Sequence, residues 1–376
     1  MKIIYCSCVC SEKTFEMLFS NSKNMPGQQV QKYSRILLKG LSQQKGIIVE
    51  AISKLPINAK NLEKKIVTIE NERWEAVDIS YLPYINIPKI SNLFQLIIAF
   101  LIMCKKSYRE KTYVLLDVLN ISMGLGIVWA CKLKKMPLIG IVTDLPEYLV
   151  DNPECTFVRQ CNKIIKSCDG YVLLTDAMNE SVNPNRKKPY VVIEGQVDAA
   201  MELKDNLLSN KYSKKVCMYS GSLNICHGIK YLVDGFLKAN IKDAELHIYG
   251  DGDYVPELIK ICEENETIKY FGMKLNDEVV MAQMKATLLI NPRPTDQEFT
   301  KYSFPSKNME YMASGTPVLT TKLPGMPKEY YPYVYIIKEE NEDGMCRILK
   351  NIFEKSADMS SITATAPFLI ASSTYV

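Results

Sequence analysis

The stretch Phe304-Pro305-Ser306-Lys307-Asn308-Met309-Glu310-Tyr311-Met312-Ala313-Ser314-Gly315-Thr316-Pro317 reads as a loop that opens a helix and a glycine that closes it. Ser306 is a good N-cap, residues 307–314 favour helix, and Gly315 falls at the C′ position with Pro317 behind it. Upstream, residues 286–291 form an apolar run of strand character that Pro292-Arg293-Pro294 stops. A loop running from a strand's carboxyl end into a helix N-terminus is an anion site. The first-turn N–H groups lack intrahelical partners there, and the helix dipole favours negative charge. Lys307 and Arg293 add cationic charge. Glu310 lies one turn into the helix on the face of Ser306, at i, i+4. A carboxylate in that place can accept from both hydroxyls of a ribose. The same residues also describe an ordinary capped helix with a surface glutamate.

Working outward, the segment belongs to an alternating series. Residues 216–220, 245–249, 269–271, 286–291, 317–320 and 333–337 are short strand-like runs, with helical patterns at 229–239 and 255–264 between them. A similar series fills the first half. Residues 2–9, 47–51, 113–116, 137–142 and 170–174 read as strands, and 29–41 and 123–133 as helices. Strands separated by helices predict βαβ units and parallel sheets, hence two doubly wound α/β domains. The polar, lysine-rich stretch 198–214 reads as their linker. The predicted organisation is a first domain at 1–198, a linker at 199–214, a second domain at 215–355 and an atypical Ser/Thr/Ala-rich tail at 356–376. Ligands of open α/β sheets bind at the carboxyl ends of the strands, so the expected site is a cleft between the domains.

Composition fits a globular protein: 376 residues, 47% hydrophobic and 23% charged. Residues 1–200 hold 26 Lys/Arg against 19 Asp/Glu, whereas the remainder holds 20 against 23. A basic first half suits an anionic surface, and equally an ordinary solvated one. The N-terminal apolar stretch is too short for a signal peptide. The longest apolar run, residues 93–104, is too short to span a bilayer, and Lys105, Lys106, Arg109 and Lys111 follow it. It predicts a buried helix of an α/β domain, or a helix resting on an anionic membrane face. Cys6, Cys8 and Cys10 alternate and are expected on one strand face as small buried hydrophobes. With only His227 and His247 in the chain, no metal site is expected.

Residues 304–317 resemble the nucleotide-binding helix of the retaining glycosyltransferases of family 4, which have the GT-B fold. Phe304, Glu310, Met312, Ala313, Gly315, Pro317 and Val318 fall on that family's pattern without a gap. The variant is similar to members that build bacterial capsules and exopolysaccharides. Tyr219-Ser220-Gly221-Ser222-Leu223 with Gly228, Leu246-His247-Ile248-Tyr249-Gly250-Asp251-Gly252, and Glu194-Gly195-Gln196-Val197-Asp198 resemble further family segments. Pro26-Gly27-Gln28-Gln29 resembles its acceptor-side loop. The resemblance covers roughly residues 1–355. It implies two Rossmann-like domains facing across an interdomain cleft, a nucleotide diphosphate sugar as donor, and no cofactor or bound metal. It further implies retention of configuration, and the basic first half with the 93–111 region points to a lipid-linked oligosaccharide acceptor. The location implied is cytoplasmic, peripheral at the inner face of the cytoplasmic membrane, without nucleic acid.

The implied donor site comprises Gly221, Ser222, His227, Arg293, Ser306, Lys307 and Glu310. Three positions depart from the family pattern. Tyr302 stands where the motif's first glutamate touches the donor sugar, with Asp296 and Glu298 nearby as possible substitutes. Ser222 and His227 stand for the family's Arg and Lys that face the pyrophosphate. In the first domain, Asp144 and Glu147 follow a strand end and can act on an acceptor hydroxyl, although Asp144 can equally cap a helix with Pro146 in its first turn. The catalytic candidates are therefore Asp144, Glu147 and, by its place in the motif, Tyr302. Gly27 and Gln28 form the acceptor-side loop. Two other readings use the same nucleotide helix: a GT-B-fold nucleotide-sugar epimerase and a non-catalytic nucleotide-sugar-binding subunit.

Overall fold

The computed structural model describes residues 1–20, 26, 29–58, 64–87, 90–106, 111–197 and 206–355. Gly27, Gln28, residues 198–205 of the lysine-rich linker and the tail at 356–376 lie outside the described residues. The chain divides into two compact units, Met1–Gln196 and Val197–Val376.

In unit 1 the elements run β1 (Lys2–Ser7), α1 (Glu12–Phe19), α2 (Gln29–Ser42), β2 (Ile48–Lys54), β3 (Ile66–Val67), β4 (Glu72–Trp74), β5 (Val77–Leu82) and β6 (Tyr84–Ile85). They continue with α3 (Ile90–Lys105), β7 (Thr112–Asp117), α4 (Ile121–Lys134), β8 (Leu138–Val142), α5 (Thr156–Ser167), β9 (Gly170–Leu173), α6 (Asp176–Val182) and β10 (Tyr190–Val192). The sheet order is β10-β9-β8-β7-β1-β2-β5-β4, parallel except for β4. The order turns back at β1, which lies between β7 and β2. A doubly wound sheet presents its crevice at such a point, beyond the strand ends. β1 sends Ile3 and Tyr5 into a core with Phe15 and Phe19 of α1 and Leu38 of α2. On α3, Gln95, Ala99 and Met103 are buried at helical spacing. α3 packs on α4 so closely that a Cβ on Gly126 would meet the Leu96 carbonyl oxygen at 2.3 Å.

Unit 2 runs β11 (Lys215–Ser222), α7 (Ile229–Ala239), β12 (Ala244–Asp251), α8 (Val255–Glu264), β13 (Ile268–Tyr270) and α9 (Asn276–Lys285). It closes with β14 (Leu288–Asn291), α10 (Ser306–Ala313), β15 (Val318–Thr321), β16 (Tyr335–Ile337) and α11 (Glu342–Lys355). Its sheet is parallel, in the order β13-β12-β11-β14-β15-β16, with the switch between β11 and β14. Successive β11 residues face opposite ways, as a pleated strand demands. Cys217 and Tyr219 join the core beneath α7 and α8, while Val216 and Met218 join the one beneath α10. Both units are thus the predicted doubly wound α/β domains.

Three details differ from the sequence reading. β1 stops at Ser7, so Cys8 and Cys10 belong to the following loop and not to the strand face of Cys6. Gln31 of α2 ties that loop down, accepting from the Cys10 N–H at 2.9 Å and donating to the Cys8 carbonyl at 2.7 Å. The second half of the linker is part of unit 2. Lys211 inserts its ammonium among the carbonyls of Met284 (2.9 Å) and Ala286 (2.8 Å) and the Thr316 hydroxyl (3.0 Å). Finally, α1, β5 and α5 have no counterpart among the predicted elements. The 93–104 run is the helix α3, though four of its large apolar residues face solvent.

Candidate functional site

The site of unit 2 lies at the carboxyl ends of β11 and β14, where α10 begins. Why α10 sits there is a matter of side-chain hydrogen bonds. The Tyr311 hydroxyl accepts from the Ser220 N–H at 2.8 Å and donates to the Ser220 carbonyl at 3.2 Å. Asn308 accepts from Asn291 at 2.7 Å and donates to Thr320 at 3.2 Å. The helix is thereby fixed to β11, β14 and β15. Gly315 follows at φ +70°, the left-handed conformation that closes a helix. One expectation is corrected: Ser306 does not cap α10. Pro305 occupies the N-cap position, no side chain caps the helix, and Ser306 is its exposed first residue. A proline at the N-cap has no oxygen side chain to offer, so although the Asn308 N–H donates to the Pro305 carbonyl at 2.9 Å, the N–H groups of Ser306 and Lys307 keep their capacity for an external anion.

Lys307 reaches back across the end of β11. Its ammonium lies 2.9 Å from the Tyr219 hydroxyl and 4.3 Å from that ring's centroid. It passes over Gly221, where a Cβ would come within 2.3 Å of Nζ. Gly221 also holds φ +149°, a backbone conformation that favours glycine, and a side chain there would displace the Lys307 ammonium. The Tyr219 hydroxyl donates onward to the Ser222 carbonyl at 2.7 Å. Burial, and then the charge of Arg293, push the Lys307 pKa down. His227 ends a short 3-10 turn (Ile225–His227), and burial, then Arg293 and Lys307, push its pKa down as well. Arg293 follows β14, its guanidinium 4.8 Å from the Phe299 ring centroid. The structure thus brings Gly221, Ser222, His227, Arg293 and Lys307 to one strand end, as a positive cluster that disfavours further protons.

Glu310 points from the same helix. Its Oε1 accepts from Gln283 at 2.7 Å, and Gln283 also donates to Ser220 at 3.3 Å. Gln283 is a site residue that the sequence reading lacks; it orients the carboxylate. The loop bearing His227 is held by Asp253, which accepts from the Ile225 N–H at 2.8 Å and donates its own N–H to Asn224 at 3.2 Å. Gly250 and Asp251 are the last residues of β12, and Gly252 opens the turn that leads into α8. Tyr302 ends a separate 3-10 turn (Glu298–Tyr302), with the Lys301 ammonium 4.8 Å from its ring centroid. Among the described residues no group of three His, Cys, Asp or Glu side chains is placed to hold a metal ion.

In unit 1, Asp144 is exposed beyond β8 and Glu147 lies in a 3-10 turn (Pro146–Tyr148). Asp144 does not cap that turn, since Leu145 holds the position. The group the sequence reading missed is Asp117, at the end of β7 on the switch point. Its Oδ2 accepts from Ser7 at 3.0 Å and Asn120 at 2.6 Å, and its Oδ1 from the Leu119 N–H at 3.1 Å. Ser7 leads on to Ser34 at 3.3 Å and thence to Tyr5 at 2.9 Å. Burial raises the Asp117 pKa against these hydrogen bonds, and the Asp144 charge raises it further. The available signal was a lone carboxylate ending the apolar strand Thr112–Asp117, with Asn120 three residues on.

Residues 214–354 match the model of the family described as Glycosyl transferases group 1. No curated protein matches the sequence. Among solved structures, sucrose-phosphate synthase from Thermosynechococcus elongatus is 13% identical, with 98% of this chain and 92% of that chain covered and a TM-score of 0.62. HepE of Anabaena in complex with UDP is 13% identical, with 97% and 93% covered and a TM-score of 0.59. The lipopolysaccharide outer core galactosyltransferase WaaB is 14% identical, with 97% and 94% covered and a TM-score of 0.59. At these identities the likeness is one of fold, the two Rossmann-like units of GT-B glycosyltransferases. The family match on unit 2 and this fold support a glycosyltransferase.

Proposed function

We propose that this protein transfers a sugar, with retention of configuration, from a nucleoside diphosphate donor to a hydroxyl of a lipid-linked oligosaccharide. On this reading it works in surface polysaccharide synthesis at the inner face of the cytoplasmic membrane. The observation that carries the reading is the uncapped start of α10 beside Lys307, Arg293 and His227, with Glu310 one turn along. Structures of HepE with UDP and with UDP-glucose support a nucleotide-sugar donor for this fold. The Ser306 and Lys307 N–H groups, with the Lys307 and Arg293 side chains, hold the diphosphate, and Glu310, set by Gln283, takes the ribose hydroxyls. As the bond from sugar C1 to the diphosphate oxygen breaks, charge grows on the leaving diphosphate. Fixed cations and amides stabilise it without reorganisation, and no metal is required for that task.

Asp117 in unit 1 is the group we assign to the acceptor hydroxyl, ahead of Asp144 and Glu147. It is half-buried and held by three donors, and its raised pKa suits it to take the proton as the acceptor oxygen bonds to C1. The test is turnover of radiolabelled UDP-, GDP- and dTDP-sugars with membrane extract, followed by determination of the product's anomeric configuration. The reading requires label in the lipid fraction from at least one donor. An epimerised donor in the absence of extract, or nucleotide binding with no turnover, would contradict it.

A further inference from the structure

Unit 1 carries a surface that neither the donor site nor Asp117 uses: the outer face of α3, α4 and α5. On α3, Ile90, Leu93, Ile97 and Leu101 are between 45% and 59% exposed. They lie at i, i+3, i+7 and i+11, a single stripe opposite the buried Gln95, Ala99 and Met103. Solvent-facing stripes of surface helices are normally polar. On α4, Trp129 and Leu133, at i and i+4, are 49% and 68% exposed. α4 packs against both α3 and α5, so these residues share one helical layer. Single exposed apolar residues are ordinary, but a run over two packed helices marks an interaction site.

The charge of the layer says what it meets. None of the three helices contains Asp or Glu, while Lys105, Lys132, Lys134, Arg159, Lys163 and Lys166 all lie on them. Where α4 meets α5, a cleft of about 660 Å³ is lined by Lys132, Arg159, Lys163, Lys166 and Lys188. Its single acid, Asp169, already accepts from the Leu138 N–H at 2.9 Å. The cleft sits where Asp169 and Lys188 lead into β9 and β10, at the sheet end opposite Asp117. Among the described residues no helix is long and apolar enough to cross a membrane. An apolar ridge with a tryptophan, bordered by cations, is the make-up of a surface that lies in the lipid headgroup region.

We propose that this face docks on an anionic phospholipid bilayer. The α3–α4 ridge enters the headgroup boundary and the lysine cleft takes lipid phosphates. This deepens the lipid-linked acceptor reading above and rests on it for its purpose; its test needs no nucleotide sugar. The chain has two tryptophans, Trp74 and Trp129, so Trp74→Phe leaves Trp129 as the sole reporter.

The full-length protein is mixed at low salt with vesicles of phosphatidylglycerol and phosphatidylcholine, or of phosphatidylcholine alone. The expected result is a blue shift of Trp129 emission and co-sedimentation with the anionic vesicles only. Lys163→Glu with Lys166→Glu should weaken co-sedimentation roughly tenfold or more. Leu93→Ser with Ile97→Ser should weaken it while keeping the circular dichroism of the parent. No Trp129 shift, or equal sedimentation of parent and variants, overturns the proposal. So does a concentration-dependent dimer, or a complex with another protein, that Leu93→Ser with Ile97→Ser abolishes without any vesicle binding. Vesicle binding without turnover of any donor would instead count against the transferase reading, and turnover without vesicle binding against this one.

Discussion

Lys307 and His227 set the site's response to charge. Lys307 is partnered by a tyrosine hydroxyl rather than a carboxylate, and burial works against its charge. Lys307→Met should therefore leave stability nearly unchanged and weaken nucleoside diphosphate binding by about 1.5–3 kcal/mol, or roughly tenfold to a hundredfold in Kd by isothermal titration. Glu310→Ala should weaken it over a similar range. His227 gives a pH signature. Its folded pKa lies below the ordinary 6.5, so between the two values the unfolded chain holds more protons. Stability associated with neutral His227 is present above pH 6.5 and lost as pH falls through the folded value. A bound diphosphate reverses the field, so affinity for a nucleotide sugar should rise as pH falls from about 8 to about 6. His227→Gln should flatten that profile, and an unchanged profile would remove His227 from the phosphate site. Asp117→Asn should cut transfer while leaving nucleotide-sugar binding intact, as read by turnover and titration on one preparation. Lys307 and Glu310 were legible in the sequence because strand, loop and helix signals fall within a short span. Asp117 was not, because its burial depends on Ser7, which lies 110 residues away.

At the scale of elements, α10 is held by hydrogen bonds to strands more than by its own ends. Tyr311→Phe would strand the Ser220 N–H beneath the helix and should cost about 1–3 kcal/mol in urea unfolding. A loss of only a few tenths would mean that α10 is placed by packing alone. The periodic stretches read well. The helices expected at 229–239 and 255–264 are α7 and α8 with the same limits. Such segments carry a strong apolar period of their own. The reading failed where tertiary context decided the boundary. β1 ends at Ser7 as the chain turns to Gln31, so the alternation of Cys6, Cys8 and Cys10 does not mark a strand face. Ser306, the better capping residue by type, sits one place inside the helix behind Pro305. β5 is short, and its alternation of Val77, Ile79 and Tyr81 gains meaning only beside β2.

At the scale of the molecule, two units with separate cores carry different features, a cationic cluster in unit 2 and a half-buried carboxylate with a basic, apolar outer face in unit 1. The excess of Lys and Arg in the first half, visible in composition alone, finds a place in the lysine cleft of α4 and α5. What composition could not show is that the apolar run at 93–104 turns one stripe outward, since that depends on which face the sheet covers. The central claim is that unit 2 holds a nucleoside diphosphate sugar for transfer. It is tested most directly by incubating the wild-type protein and Glu310→Ala with radiolabelled UDP-, GDP- and dTDP-sugars and membrane extract. Label should enter the lipid fraction with the wild type from at least one donor, and fall by roughly tenfold or more with Glu310→Ala. Transfer by the variant at the wild-type rate, or none by either protein from any donor, would contradict that claim.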